Sequence, residues 1–279
     1  MAPSGPRRDT RGIVDPDELL ARVRFRRHEP APELRPFLEH YWFIDWELSE
    51  PYASHVVPHP SVNVVFQRYV DEGGEAVFGE VAGIGLELFT KKLTGVGRVC
   101  GVQFRPGGFR PFAPARPVSE WTGRRVPLAE VFADADDASV DAVLAPEADH
   151  ARVAALDAFL LGHGPAPDPQ AAQAMALVDR VRGDRTIRRV SELARAEGLS
   201  SRSLQRLFAN CVGVGPKWVI LRYRIHEALE RAEAAGQDPP DWAGLAAELG
   251  YSDQAHLVRD FTATVGVPPT AYARQVSDP

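Results

Sequence analysis

The feature that most constrains this chain is a stretch that it repeats. Ala194, Gly198, Leu204, Arg206, Phe208, Val212, Gly213, Val214 and Pro216 recur in order as Ala246, Gly250, Leu257, Arg259, Phe261, Val265, Gly266, Val267 and Pro269. The offset is 246 − 194 = 52 for the first two pairs and 257 − 204 = 53 afterwards, so the second copy carries one extra residue in its turn. Each copy has the anatomy of a helix-turn-helix. In the first, Val190 to Ala196 is the short helix, Gly198 supplies a left-handed backbone cheaply, and Ser200 caps the next helix. Leu204, Leu207 and Phe208 are its buried stripe. In the second, Leu245 to Leu249 precedes Gly250, Ser252 is the expected cap, and Leu257 and Phe261 form the stripe. Small Ala194 and Ala246 fit where two helices cross closely. A solenoid would also repeat, but it needs three or more copies.

Between the copies Pro216 opens a long helix through about Ala235, and Gln237-Asp-Pro-Pro240 ends it. A helix of about 19 residues spans about 28 Å. Such a strut lets two recognition helices enter successive major grooves on one face of a duplex, where the repeat is about 34 Å.

Upstream the pattern changes. The run from Gly162 to Gln170 holds too many glycines and prolines for a helix or strand and is expected as a linker, residues 162–170. Before it, Phe37 to Trp46, Ser61 to Tyr69, Ala76 to Glu80, Phe89 to Leu93 and Gly97 to Phe104 are short segments rich in valine and aromatics. They predict a mainly β domain over residues 25–161, a sandwich or a cupin-like barrel, with trailing helices at Leu128 to Phe132 and Glu147 to Leu161. Residues 1–24 are expected as a flexible tail. Ala171 to Val181 leads into an all-α domain over residues 171–279, making the chain α+β.

The 279 residues are 44 % hydrophobic and 25 % charged, ordinary for a globular protein of two domains. No apolar run approaches the roughly 20 residues of a membrane span, and the amino terminus has no secretory pattern, so a cytoplasmic location is expected. Cys100 and Cys211 form no metal-spaced pair. The net charge of −6 argues against coating nucleic acid along the whole chain, but the arginines concentrate. Arg180, Arg182, Arg185, Arg188, Arg189, Arg195, Arg202 and Arg206 face only Asp184, Glu192 and Glu197 in that stretch.

Gly250-Tyr-Ser-Asp-Gln-Ala-His-Leu-Val-Arg-Asp-Phe261, continued by Val265-Gly-Val-Pro-Pro269 and Tyr272, resembles the signature of the AraC/XylS family of transcription regulators. Gly198 to Phe208 is similar to that family's first unit. Ala255 and Leu257 depart from it, standing where many members have a hydroxyl-bearing residue and an aromatic. Tyr41-Trp42, Pro58-His-Pro60, Phe104 to Phe112 and Pro127 to Phe132 resemble a domain that precedes this module in a subset of the family. The resemblance implies a bacterial-type regulator that binds double-stranded DNA and contacts RNA polymerase. It also implies that the first domain senses a small-molecule effector, forms a homodimer, or both. No cofactor is implied.

On the first recognition helix Arg202, Gln205 and Arg206 point away from the buried stripe, and the resemblance puts base contacts at these positions. Arginine can pair with guanine and glutamine with adenine through two hydrogen bonds each. Arg206 holds a phosphate in the alternative reading. On the second helix the candidates are Gln254, His256 and Arg259, with His256 alternatively packed against the turn. Ser200 and Ser252 at the caps, and Arg188 and Arg189 ahead of the first unit, complete the expected DNA-contacting set.

In the first domain Tyr41, Trp42, Phe43 and Trp46 are read as core, with an apolar pocket as the alternative. His55 and His59 lack the spacing of a metal site. Arg105 and Arg110 are read as surface arginines, with an anionic effector as the alternative. No catalytic residue is expected. The competing reading is a DNA-binding module fused to an enzymatic domain, methyl-accepting or a metal cupin, which needs a reactive cysteine or a metal.

Overall fold

The computed structural model describes residues 12–71, 73–235 and 240–277. Strands β1 (Val23–His28), β2 (Leu38–Val56), β3 (Asn63–Asp71), β4 (Gly74–Ala82), β5 (Phe89–Phe104) and β6 (Arg125–Pro127) form one antiparallel sheet in the order β1-β2-β5-β3-β4-β6. The strands lie in one sheet with β1 and β6 at its edges, a mainly antiparallel β domain with trailing helices, as expected. The two segments expected at Phe89 to Leu93 and Gly97 to Phe104 are one strand, and β2 runs ten residues beyond Trp46 to Val56. Gly95, at φ +57°, sits at the register shift between β2 and β5.

Alternation divides the sheet into two apolar faces. Tyr41, Phe43, Phe66, Cys100 and Val102 face the core beneath helices α2 (Leu128–Val131), α3 (Asp137–Leu144) and α4 (Asp149–His163). Trp42, Ile44, Trp46, Val65 and Val99 point the other way. The α4 helix is tied down by Asp157, which accepts from the Tyr41 hydroxyl at 2.8 Å and from the Ala31 N–H at 2.9 Å. Beside it Asp45 accepts from Arg26 and from Arg98 (2.8 Å), while Arg152, buried at 2 % exposure, lies 3.4 Å away.

Residues 12–24, expected as part of a flexible tail, belong to the fold. Val14 N–H donates to His55 O at 3.0 Å and Val57 N–H to Gly12 O at 2.7 Å. Helix α1 (Pro16–Arg22) follows, capped by Asp15, and buries Leu19. Neither α1 nor β1 is legible from periodicity, because prolines, acids and arginines interrupt the apolar positions. Residues 1–11 lie outside the described residues.

The carboxy-terminal part is all helical: α5 (Pro169–Gly183), α6 (Val190–Ala196), α7 (Ser201–Cys211), α8 (Pro216–Ala235), α9 (Trp242–Glu248), α10 (Gln254–Val265) and α11 (Pro269–Ser277). The expected stop at Gln237 to Pro240 falls, apart from Pro240, outside the described residues. The expected linker, residues 162–170, is trimmed to the non-helical 164–168, since α4 runs to His163 and α5 starts at Pro169.

The two parts are not independent bodies. One continuous apolar cluster runs from Phe43 and Phe104 of the sheet through Val118 and Trp121 to Leu204, Phe208 and Val212 of the first helix-turn-helix. The second unit has its own cluster, around Leu229, Trp242, Leu257, Phe261 and Tyr272, touched by Val14 and Val57. Arg105 and Arg110, expected at the surface or at an anion, instead pair with Asp179 and Asp168 of the α5 region and so fasten the sheet to the helices. Among the described residues no helix is long and apolar enough to cross a membrane.

Candidate nucleic-acid interface and neighbouring cavity

The two copies of the repeat fold alike down to single hydrogen bonds. In the first, Gly198 has φ +62° and Leu199 N–H donates to Ala194 O at 2.9 Å. In the second, Gly250 has φ +77° and Tyr251 N–H donates to Ala246 O at 2.9 Å. Both alanines are buried, as close helix crossing requires. The caps differ. Ser200 Oγ accepts from Ser203 N–H at 3.0 Å, but in the second unit Asp253, not Ser252, accepts from His256 N–H at 2.8 Å. The extra residue of the second copy explains the correction: 200 + 53 = 253, so the later offset already pointed to Asp253. The Ser252 hydroxyl donates to Asp253 instead, at 3.3 Å.

Alanine at either turn glycine is strained, because a left-handed backbone costs an L-residue about 1–2 kcal/mol. At Gly198 a Cβ meets open space, whereas at Gly250 it would lie 2.5 Å from Arg188 Cδ. Arg188 also donates to Glu248 O at 3.0 Å, closing the end of α9 from the first unit. Gly250→Ala is therefore expected to lower stability by about 2 kcal/mol and Gly198→Ala by about 1 kcal/mol. Urea denaturation of both variants checks the order; equal losses would mean that Arg188 does not hold the two units together.

On α7, Leu204, Leu207 and Phe208 are buried, and Arg202, Gln205 and Arg206 are exposed. Arg195, Arg202 and Arg206 make no ion pair among the described residues. The rest of the basic run is partly committed to structure: Arg180 binds Glu197 (2.7 Å), Arg182 binds Glu39 (3.2 Å) and Arg185 binds Glu227. Arg188, expected at a phosphate, is exposed and donates to the backbone carbonyl of Glu248 as above. Arg189 is exposed at the start of α6, where its N–H donates to Glu192 at 2.8 Å. On α10, Gln254 and Arg259 are exposed and border a shallow groove with Val258 and Thr262. His256 is half-buried, edge-on to Tyr251 at 5.2 Å and 3.7 Å from Asp260, the packed alternative. Arg195, exposed at the end of α6, is a cation that the expected DNA-contacting set leaves out.

The 20-residue α8 is more than a spacer. Its Val219, Ile220 and Tyr223 belong to the first cluster, and Ile225, Ala228, Leu229 and Ala232 to the second. Arg222 between them is 6 % exposed, stacks on Trp218 at 4.5 Å and donates to Leu86 O at 3.3 Å. Burial pushes its pKa down to about 10. The loop that carries Leu86 also touches both reading units: Ile84 lies against Gly213, and Leu88 against Gly266.

Between α8 and the second face of the sheet lies a cavity of about 810 Å³. Trp42, Trp46, Val65 and Val99 line its floor, and His226, Glu230 and Glu233 of α8 border it. The aromatic cluster of the sequence therefore divides, with Tyr41 and Phe43 in the core and Trp42 and Trp46 at the cavity.

Neither cysteine has a nucleophile's setting. Burial pushes the Cys100 thiol up to about 12 and the Cys211 thiol up to about 11, so both stay protonated at neutral pH. Among the described residues no group of three or more histidines, cysteines or carboxylates is placed to hold a metal ion. His55 bonds Thr90 at 2.9 Å, and His59 bonds Ser61 at 2.8 Å.

Residues 193–275 match a family model described as a helix-turn-helix domain, and residues 26–127 match one described as a domain of unknown function, DUF6597. No curated protein matches the chain. The carboxy-terminal region therefore carries a helix-turn-helix domain of the AraC type, the kind of module that binds DNA. Among solved structures, ToxT from Vibrio cholerae is 10 % identical at a TM-score of 0.42, covering 91 % of this chain and 98 % of that one. ToxT bound to an unsaturated fatty acid is 14 % identical at 0.42, covering 86 % and 95 %. ToxT of strain O395 bound to (E)-4-(8-methylnaphthalen-1-yl)but-3-enoic acid is 10 % identical at 0.43, covering 90 % and 99 %. These likenesses are too distant to carry residue roles across.

Proposed function

We propose that α7 and α10 read two half-sites of one duplex, and that a small molecule in the cavity beneath α8 adjusts the reading. The observation that carries the first part is the pair of exposed helix faces, equivalent in the repeat, that present Arg202, Gln205 and Arg206 on one unit and Gln254 and Arg259 on the other. Ser200, Arg189 and Arg195 stand beside the first face and suit phosphate contacts, as Ser252 does beside the second. His256 packs on the turn of its own unit, and Arg188 ties the first unit to the second while keeping an exposed charge. RNA polymerase and a second copy of the chain are the further partners that the family resemblance implies.

Arg202→Ala and Gln205→Ala are each expected to cost about 1–3 kcal/mol on the matched site and to relax preference at particular base pairs. Arg195→Ala should weaken all sequences alike and flatten the salt dependence, because a phosphate contact releases counterions. Binding to matched and scrambled duplexes at several salt concentrations checks this. Equal losses on both duplexes for Arg202→Ala and Gln205→Ala would make them positioning residues, not readers.

The second part rests on what borders the cavity. One helix, α8, supplies core residues to both reading units and also side chains at the cavity, so a change there is felt by both. Filling the cavity with Val65→Trp is expected to change the affinity of the full chain for its site by about tenfold, within the usual range of coupling between sites. Unchanged affinity in a folded Val65→Trp protein would separate the cavity from DNA binding.

A further inference from the structure

The floor of the cavity is built row by row from the strand register. Across one row, His40 of β2, Gln103 of β5 and Asn63 of β3 are cross-strand neighbours. In the next, Trp42 faces Gly101, and four residues further along β2 Trp46 faces Gly97. A Cβ on Gly101 would lie 2.0 Å from Trp42 Cε2, and one on Gly97 2.0 Å from Trp46 Cζ2. The glycines therefore let both indoles lie against the strand, which any side chain would prevent. Both indole N–H groups are already used: Trp42 Nε1 donates to Asn63 Oδ1 at 3.2 Å and Trp46 Nε1 to Thr94 O at 3.0 Å. The rings are thus fixed in place, and both line the cavity.

The charges at the cavity are balanced. Arg125 pairs with Glu80 at 2.7 Å and Arg182 with Glu39 at 3.2 Å. Lys91 and Arg27 lie over the rings of Tyr69 and Phe25, and Glu230 and Glu233 stand on the α8 side. Burial, and then the charge of Arg27, holds His40 down to about 3, so its imidazole is neutral wherever the protein works. A row of two amides and a neutral imidazole offers donors and acceptors without offering a countercharge.

We propose that the cavity takes a planar, uncharged ring compound, stacked on the Trp42 indole and hydrogen-bonded along one edge by Asn63, Gln103 and His40, with Trp46 walling the cavity further along β2. Arg125 and Arg182 could meet an anionic ligand only by leaving their glutamates, Lys91 and Arg27 are drawn to the Tyr69 and Phe25 rings, and a flexible chain would make no use of a fixed, flat indole. The proposal rests on the reading of the cavity as the effector site.

Calorimetric titration of the full chain, without DNA, with acridone, acridone carboxylate and laurate tests it. Acridone should bind more tightly than either acid. Trp42→Leu should weaken acridone about tenfold, the loss of the stacking partner and its buried area, while leaving laurate nearly unchanged. Gln103→Leu should weaken acridone without affecting laurate and, with its side chain in the cavity and not the core, serves if Trp42→Leu fails to fold. Tighter binding of either acid, no binding of acridone, or acridone binding indifferent to both folded variants overturns the proposal. The underlying reading fails separately. If laurate changes DNA affinity and acridone does not, the site is an effector site of another class. If Val65→Trp leaves DNA affinity unchanged, the cavity is not an effector site at all.

Discussion

Replacing Asp45 with alanine is expected to destabilise the protein by about 3–5 kcal/mol, because it strands buried cations. The carboxylate accepts from Arg98 at 2.8 Å and from Arg26, and stands 3.4 Å from Arg152, whose side chain is 2 % exposed. Arg152 also donates to Pro146 O at 2.7 Å and Glu147 O at 3.0 Å, and Arg26 donates to Asp149 at 2.7 Å, so the guanidiniums are held in position. Without Asp45 they keep one another's company with less countercharge. Burial alone would raise the pKa of Asp45, but hydrogen bonds from Arg98 and Arg26, with the charges of Arg26 and Arg152, leave it below the usual carboxylate range. Asp149 is likewise lowered, chiefly by Arg26. A folded pKa below the unfolded one means that the stabilisation is fully present above about pH 3.9 and is lost as pH falls through the lowered value. Urea denaturation of wild type and Asp45→Ala should therefore show a gap that is widest near neutrality and closes in acid. A neutral-pH gap under about 1 kcal/mol would mean that the cluster rearranges freely around the missing charge.

The repeat made the helical half legible because each of its signals is local. A glycine that must adopt positive φ, a capping side chain and an apolar stripe all act within a dozen residues, and both units fold on that plan. Even the misplaced second cap was readable, since the offset changes between Gly250 and Leu257. The sheet was legible in kind and not in extent. Val23 to His28 alternates nothing apolar enough to announce a strand, because Arg26 is there to meet Asp45 and Asp149. The arginines from Arg105 to Arg110 looked superficial because their partners, Asp179 and Asp168, lie beyond the boundary expected between the domains. Trp42 and Trp46 were ambiguous between core and cavity for a similar reason. Only the register of β2 with β5 brings Gly101 and Gly97 beneath them, and registers are set by pairing that sequence alone does not specify.

The division of the interior into two clusters has its sharpest consequence in Phe261→Ala. Phe261 is fully buried, with its ring 6.1 Å from that of Trp242 and 5.8 Å from that of Tyr272, and truncating such a phenylalanine costs about 3–5 kcal/mol. That loss falls on the small core of the second unit, which shares no buried residue with the cluster running from the sheet into the first. The first unit is expected to stay folded and to bind one half-site, with the footprint on DNA shortened to that half. Phe208→Ala, of similar cost, falls instead on the shared cluster and should lower the stability of the sheet domain as well. The same partition means that α8 cannot be lengthened without harm: two residues inserted near Ala228 would turn Leu229 and Ala232 out of the second core before they rotated the unit about the strut. Footprinting Phe261→Ala on duplexes with either half-site scrambled decides the matter. If the variant still depends on both half-sites, the second unit reads DNA without its core; if it loses both together, α8 transmits the collapse to the first unit, and the two clusters are not the independent folding units that the packing describes.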